Sequence, residues 1–310
     1  MKKIISILII ILTSQNIFSQ KFPSEIDVLK TENEVETMIH KMGKNYKNFK
    51  IKKIENFKEE QGENKYCKTI ADSLGIDKSF YKADFDHNGY TDLLAIGDYY
   101  DFCIFVLMNY GKDSLKINKL TRRSFQYCTF PKIDNDSIIH YFYMSQPNWF
   151  TSEKSKLTKK DLIFKFGDFI EYNSKPASYD IEKIEYETTT CFGTCPKFYI
   201  SIEKDRNAFF KAEHYNTDKI KNKKEIKGNF KTLLKKNNYD EIKNLLNYID
   251  FPNLEDNYSV TWSDDQTSTL KITYNNGKVK EIKDYGLIGT YGLNRIYQLF
   301  FELRFNQNWK

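Results

Sequence analysis

The chain has 310 residues, with 48 Lys and Arg against 42 Asp and Glu and a formal net charge of +6. The two signs are interspersed along the sequence, which argues against a nucleic-acid footprint. Mean hydropathy is −0.64, and after the N-terminus no apolar stretch reaches the ~20 residues needed to cross a bilayer.

The chain opens with Lys2 and Lys3, followed by an apolar run over 4–12 broken only by Ser6, and then a short polar stretch to Ile17-Phe18-Ser19. This pattern predicts a secretory signal peptide over 1–19, cleaved after Ser19. The apolar run is about half of a membrane span. No cysteine follows it, so lipoprotein processing is not indicated. Cleavage would remove two lysines and no acids, taking the formal charge from +6 to +4. The expected location is periplasmic or secreted, with no membrane span after cleavage.

The remaining length, roughly 290 residues, predicts two domains of ordinary size. Thr31-Glu32-Asn33-Glu34 is a capping box, and Val35, Met38, Ile39 and Met42 follow at helical spacing. A strand is expected over 49–57 and a second helix over 64–74, ending at Gly75. Strands are then expected over 80–83, 92–96, 102–109, 115–120, 124–130 and 138–144. The run over 102–109 is apolar almost throughout, as in a strand buried on both faces. The polar stretch 146–156 contains Pro147 and reads as a break. Trp149 and Phe150 beside it are expected to be buried between domains. A hairpin over 161–166 and 169–172 turns at Gly167-Asp168. Asn173 to Tyr179, NSKPASY, reads as the interdomain linker.

In the second half, strands are expected over 181–189, 198–203, 208–214, 258–262, 270–274 and 279–282, with helices over 239–251 and 293–305. Asn276-Gly277 predicts a type I′ hairpin turn. The lysine-rich stretch 219–227 reads as an exposed turn. The order of elements predicts an α+β fold in two domains, 20–172 and 180–310. Each would be an antiparallel sheet with helices packed on one face.

Specific chemistry is suggested in one place, the stretch ADFDHNGYTDLL over 83–94. Asp84, Asp86 and Asn88 put side-chain oxygens at alternate positions, Gly89 permits a sharp turn, Tyr90 would offer its carbonyl, and Asp92 would close the site. This is the donor set of a hard cation, and calcium in a structural role is the expected cofactor. The EF-hand reading fails because the twelfth position, counted from Asp84, is Ala95 rather than a bidentate Glu. Strand–DxDxNGxxD–strand resembles the calcium loop of FG-GAP and VCBS-type repeats over about one repeat, 80–120. No second such loop is present, which argues against a propeller, because one blade cannot bury its own faces.

Five cysteines occur: Cys67, Cys103, Cys128, Cys191 and Cys195. In an oxidising compartment disulfides persist. Two bridges and one free thiol allow 15 pairings, from five choices of thiol and three pairings of the rest. Local geometry favours Cys191–Cys195, with Gly193 permitting the tight turn. Cys103 and Cys128, both on expected strands, form the next candidate pair. Cys67, on the expected helix beside Ile70 and Leu74, is expected to be a buried free thiol, although sequence alone does not choose among the pairings. The spacing of Cys191 and Cys195 is not C-x-x-C and no βαβ pattern surrounds it, so the pair reads as a staple rather than a redox centre.

Thr190-Cys191-Phe192-Gly193-Thr194-Cys195-Pro196 lies between two expected strands. It resembles the CFGxCPxY/F turn of a bacterial domain family of unknown function, DUF6438, over 181–303. The resemblance implies no activity, substrate or catalytic residues.

Other signals carry less. Gly286, Gly289 and Gly292 precede a helix but match neither GxGxxG nor a P-loop. His40, His87, His140 and His214 show no zinc spacing. Asp264-Asp265 reads as a solvated turn. No catalytic residue is assigned. The expected function is non-enzymatic binding of an envelope protein or ligand. The alternatives are a secreted carboxylate-dependent hydrolase and a thiol redox protein using Cys191 and Cys195.

Overall fold

The computed structural model describes residues 22–53, 65–112, 114–122, 126–134, 137–145, 156–217 and 224–310. The expected signal peptide, the break at 146–155 with Trp149 and Phe150, and most of the lysine-rich turn lie outside the described residues. Among the described residues, three sheets and four α-helices form a mostly β arrangement in which nearly all strand pairs are antiparallel.

Helix α1 (Glu32–Lys41) starts at the expected capping box. Thr31 Oγ1 accepts from Glu34 N–H at 3.3 Å, and Glu34 Oε2 accepts from Thr31 N–H at 2.9 Å. Both orphan donors are satisfied, and Lys30 N–H, which donates to Glu34 Oε2 at 2.7 Å, together with Thr31 N–H holds the Glu34 carboxyl below its usual range. The first sheet contains β1 (Lys50–Ile51), β2 (Phe80–Ala83), β3 (Asp92–Tyr99), β4 (Asp101–Asn109) and β5 (Leu115–Lys119). Its path is β1-β3-β4-β5, with β2 also on β3. Strand β1 is far shorter than expected, and residues 54–57 lie outside the described part.

The centre of this sheet is buried on both sides. Leu93, Ala95, Cys103, Phe105 and Leu107 pack with Val35, Met38 and Ile39 of α1. Leu94, Ile96, Ile104, Val106 and Met108 face the opposite way. There they meet α2 (Lys65–Ser73) and a second sheet, a meander of β6 (Gln126–Asp134), β7 (Ile138–Ser145), β8 (Leu157–Lys165) and β9 (Asp168–Glu171). The expected one-sided helical cover is therefore corrected here, because the alternating apolar positions of β3 and β4 supply two faces and both must be covered. Strand β6 runs on through Pro131, which it tolerates as an edge strand paired only with β7.

At Gly97 the backbone of β1 crosses closely. A Cβ there would stand 2.3 Å from the Lys50 carbonyl oxygen and 2.6 Å from the Phe49 ring. Gly97→Ala is expected to cost about 2–3 kcal/mol, read from urea unfolding, because a backbone oxygen on the paired strand cannot rotate away.

The cysteine pairing differs from the expectation. Cys67 bonds to Cys128, and Cys103 is the buried free thiol. Cys103 alternates with Ile104 and so points toward α1, whereas Cys67 and Cys128 lie together in the core on the other side of the sheet.

The second half is one seven-stranded sheet. Its order is β13 (Gly228–Leu233), β12 (Asn207–His214), β11 (Lys197–Glu203), β10 (Ile181–Thr188), β15 (Thr267–Tyr274), β16 (Lys278–Tyr285) and β14 (Asn257–Ser259). Helices α3 (Lys236–Tyr248) and α4 (Tyr291–Asn306) cover one face, where Ile184, Tyr186, Phe198, Ile200, Leu270 and Ile272 are buried. The other face carries Lys183, Glu185, Tyr199 and Lys271 in a charged network. Here the one-sided arrangement holds. Strand β13 was not expected, β14 pairs in parallel with β16, and the β15–β16 turn has three residues rather than two, since Tyr274 pairs with Lys278.

The two halves meet along β9 and α4. Phe169 packs into the first core and its neighbour Ile170 into the second. Both oxygens of Glu171 accept from the first turn of α4, Tyr291 N–H at 2.9 Å and Gly292 N–H at 3.0 Å. Arg122 donates to the Ile288 and Gly289 carbonyls, and its guanidinium lies 3.9 Å from the Tyr291 ring centroid. The segment 173–179 has no helix or strand. It is nonetheless fixed to α3, with Asn173 N–H donating to Tyr248 Oη at 2.9 Å and Tyr179 N–H to Asn247 Oδ1 at 3.2 Å.

Candidate functional site

The acidic loop connects β2 to β3, two strands paired from Phe80↔Ala95 to Ala83↔Asp92. This hairpin brings the start and end of the loop together. Asp84, Asp86 and Asp92 each direct a carboxylate oxygen to one spot, and these oxygens all lie within 4.8 Å of one another. Positive φ at His87 (59°) and Gly89 (88°) bends the chain around them.

Asp84 folds the loop over itself, accepting from Asn88 N–H at 3.1 Å and Gly89 N–H at 2.9 Å. Asp86 accepts from the Asn88 side-chain amide at 3.0 Å. Asp92 is fully buried, and its two oxygens accept from Phe85 N–H at 2.8 Å and Asn109 N–H at 2.7 Å. Burial pushes the Asp92 carboxyl up to about 7 against the pull of those two donors, and Asp86 and Asp84 add repulsion. Burial likewise raises Asp86. A cation among the three carboxylates would relieve both the burial and the repulsion.

Asn88 and Tyr90 sit differently from the three acids. The Asn88 side-chain oxygen accepts from Tyr90 N–H at 2.7 Å, and its amide donates to the Asn109 carbonyl at 2.8 Å. The Tyr90 ring stacks on Phe22 at 5.0 Å between centroids. Phe22 N–H donates to the Gly89 carbonyl at 2.8 Å, so the start of the described chain is laid against the loop.

Asn109 is a supporting residue missed from sequence. It is buried, holds Asp92 and Asn88 through its backbone, and accepts from Gly111 N–H at 3.0 Å through its side chain. The available signal was a polar residue closing the apolar run of β4.

The second predicted feature is the turn between β10 and β11. Cys191 and Cys195 are bonded as expected. Phe192 at its tip is 90% exposed, and Phe192 N–H donates to the Asp264 carbonyl at 3.0 Å. Asp265 accepts from Trp262 Nε1–H at 3.0 Å, which ties that carboxylate into its own turn.

The glycine loop before α4 is internally satisfied. The buried Asp284 accepts from Ile288 N–H at 2.8 Å and Gly289 N–H at 2.7 Å. The N-terminus of α4 already faces the chain's own anion, Glu171. Among the described residues no helix is long and apolar enough to cross a membrane.

Residues 182–304 match the model of a protein family described as a domain of unknown function (DUF6438). The match covers the seven-stranded sheet from β10 onward, the cysteine turn, α3 and nearly all of α4. No curated protein and no solved structure matches the chain.

Proposed function

We propose that this is an exported, non-enzymatic binding or interaction protein whose first unit, 20–172, is held by one structural calcium at Asp84, Asp86 and Asp92. Asn88 and the Tyr90 carbonyl would complete the set in the manner of an FG-GAP-like loop. The second unit, 180–310, carries the DUF6438 match, and 173–179 joins the two. The observation that carries the metal reading is the convergence of three carboxylates, one fully buried, on a single point. Carboxylates so placed repel one another without a cation. Export is supported by the N-terminal signal-peptide pattern and by two disulfides, which fit an oxidising compartment.

The test is a thermal melt in millimolar calcium and again in chelator. Extracellular oxygen sites bind with Kd of about 10⁻⁴–10⁻³ M, and metal at tenfold over Kd stabilises the folded state by about 1.4 kcal/mol. A rise of several degrees is expected, lost in the Asp84→Ala, Asp86→Ala double variant. Identical melts of the unaltered protein in calcium and chelator would rule the site out.

A further inference from the structure

The Cys191–Cys195 turn is clamped by contacts that do not depend on its sulfur–sulfur bond. Gln266 is 5% exposed, and its Nε2 donates to the carbonyls of Thr189 and Pro196, both at 2.8 Å. One side-chain amide thus ties the two ends of the turn together. Thr188 Oγ1 donates to the same Pro196 carbonyl at 2.7 Å and accepts from Phe198 N–H at 3.2 Å. Thr189 exchanges two more bonds with Thr267, from its N–H at 2.9 Å and to its Oγ1 at 3.0 Å. The bridge spans a separation of only 4, against 61 for Cys67–Cys128. Closing so short a loop removes little freedom from the unfolded chain. The fold needs this bond as a brace far less than it needs the other.

Access to the two bridges differs in the same sense. Cys67 and Cys128 are each 2% exposed, whereas Cys191 and Cys195 are both partly exposed. Gly193 lies over the Cys191 sulfur, where a Cβ would come within 3.8 Å of Sγ. With φ at +146°, that position favours glycine, which adds no side chain against the sulfur. Beside it stands Phe192, an apolar ring 90% in solvent on a turn whose backbone is fixed. A side chain so displayed has apolar surface that only a partner could bury.

We propose that Cys191–Cys195 is an exchangeable disulfide that accepts two electrons from a protein dithiol, with Phe192 seating the partner beside the sulfurs. The partner's first thiolate attacks Cys191 Sγ. The Cys191–Cys195 bond breaks, and Cys195 leaves as a thiolate and takes up a proton. The partner's second thiolate then attacks the partner's own sulfur in the mixed disulfide. Cys191 leaves as a thiolate and is protonated. The partner ends as a disulfide and this protein as a dithiol, so two electrons and two protons have moved. The site is independent of the metal loop, and neither proposal's failure bears on the other.

The test uses the purified, folded protein with two reductants, dithiothreitol and thioredoxin, followed by alkylation and peptide mass analysis. Cys191 and Cys195 should be alkylated at reductant levels at least roughly tenfold below those that open Cys67–Cys128, with the far-ultraviolet circular dichroism unchanged. Thioredoxin lacking its second active-site cysteine should be trapped on Cys191. Phe192→Ala should slow reduction by thioredoxin several-fold and leave reduction by dithiothreitol as it was. Opening of the two bridges together, loss of folded signal on reduction, or equal rates for Phe192→Ala and the unaltered protein with thioredoxin would each overturn the proposal.

Discussion

Replacing Cys67 and Cys128 together by serine is expected to lower the unfolding free energy by about 4 kcal/mol, as the loop-closure relation gives for a bridge of this span. The bond links α2 to β6 across a sequence separation of 61, and the strands β2 to β5 lie inside the loop it closes. Without it, the unfolded chain regains the freedom of that whole segment. The folded state also loses, because both sulfurs lie at 2% exposure in an apolar core where two hydroxyls would need partners. A fall in melting temperature of roughly 10 °C should follow. The corresponding Cys191→Ser, Cys195→Ser variant should lose no more than about half as much, since the loop is short and Gln266 holds its ends. Urea unfolding of both variants beside the unaltered protein provides the comparison. Equal losses from the two would contradict the assignment of the first bridge as the brace.

That contrast also shows where sequence reading succeeded and where it failed. Helix α1 could be read because its determinants are local: Thr31 and Glu34 lie three apart and satisfy each other's backbone. Strands β3 and β4 could be read because their apolar runs are continuous. The cysteine pairing could not, although one clue was present. Cys103 shares its parity along β4 with Phe105 and Leu107, so it had to point away from the face of Ile104 and Val106. Knowing which face met β6 required the tertiary arrangement. Strand β13, GNFKTL, was missed for the opposite reason. It lies at the sheet edge with four of its six residues exposed, and its outer side is paired with Lys310 through the Lys231 backbone. The pinning of 173–179 depends on Asn247, Tyr248 and Asp250, about 70 residues onward, and no local pattern could reveal it.

The acidic loop was readable in its spacing but not in the division of labour among its acids, and that division leads to a sharper test of the proposed metal than removing the site. Asp92 has two tasks. Apart from any cation, it satisfies the amides of Phe85 and Asn109 in a fully buried position. Asp92→Ala leaves both without an acceptor, and each orphaned buried donor costs about 1–3 kcal/mol. A large loss is therefore expected in calcium and in chelator alike. Asp86 is only partly buried, and its two oxygens accept from Asn88, from N–H at 3.3 Å and from Nδ2–H at 3.0 Å, the shorter of which an asparagine oxygen can keep. Its negative charge is a liability beside Asp84 and Asp92 unless a cation is bound. Asp86→Asn should therefore change sign with conditions. In chelator it removes repulsion, so the variant should melt at or above the unaltered protein. In calcium it removes a ligand and should melt several degrees below it. Inversion separates a metal ligand from an ordinary turn residue, because a turn carboxylate that merely holds backbone would lose the same stability in both buffers. A deficit of equal size with and without calcium would mean that the three carboxylates form a turn and not a metal centre.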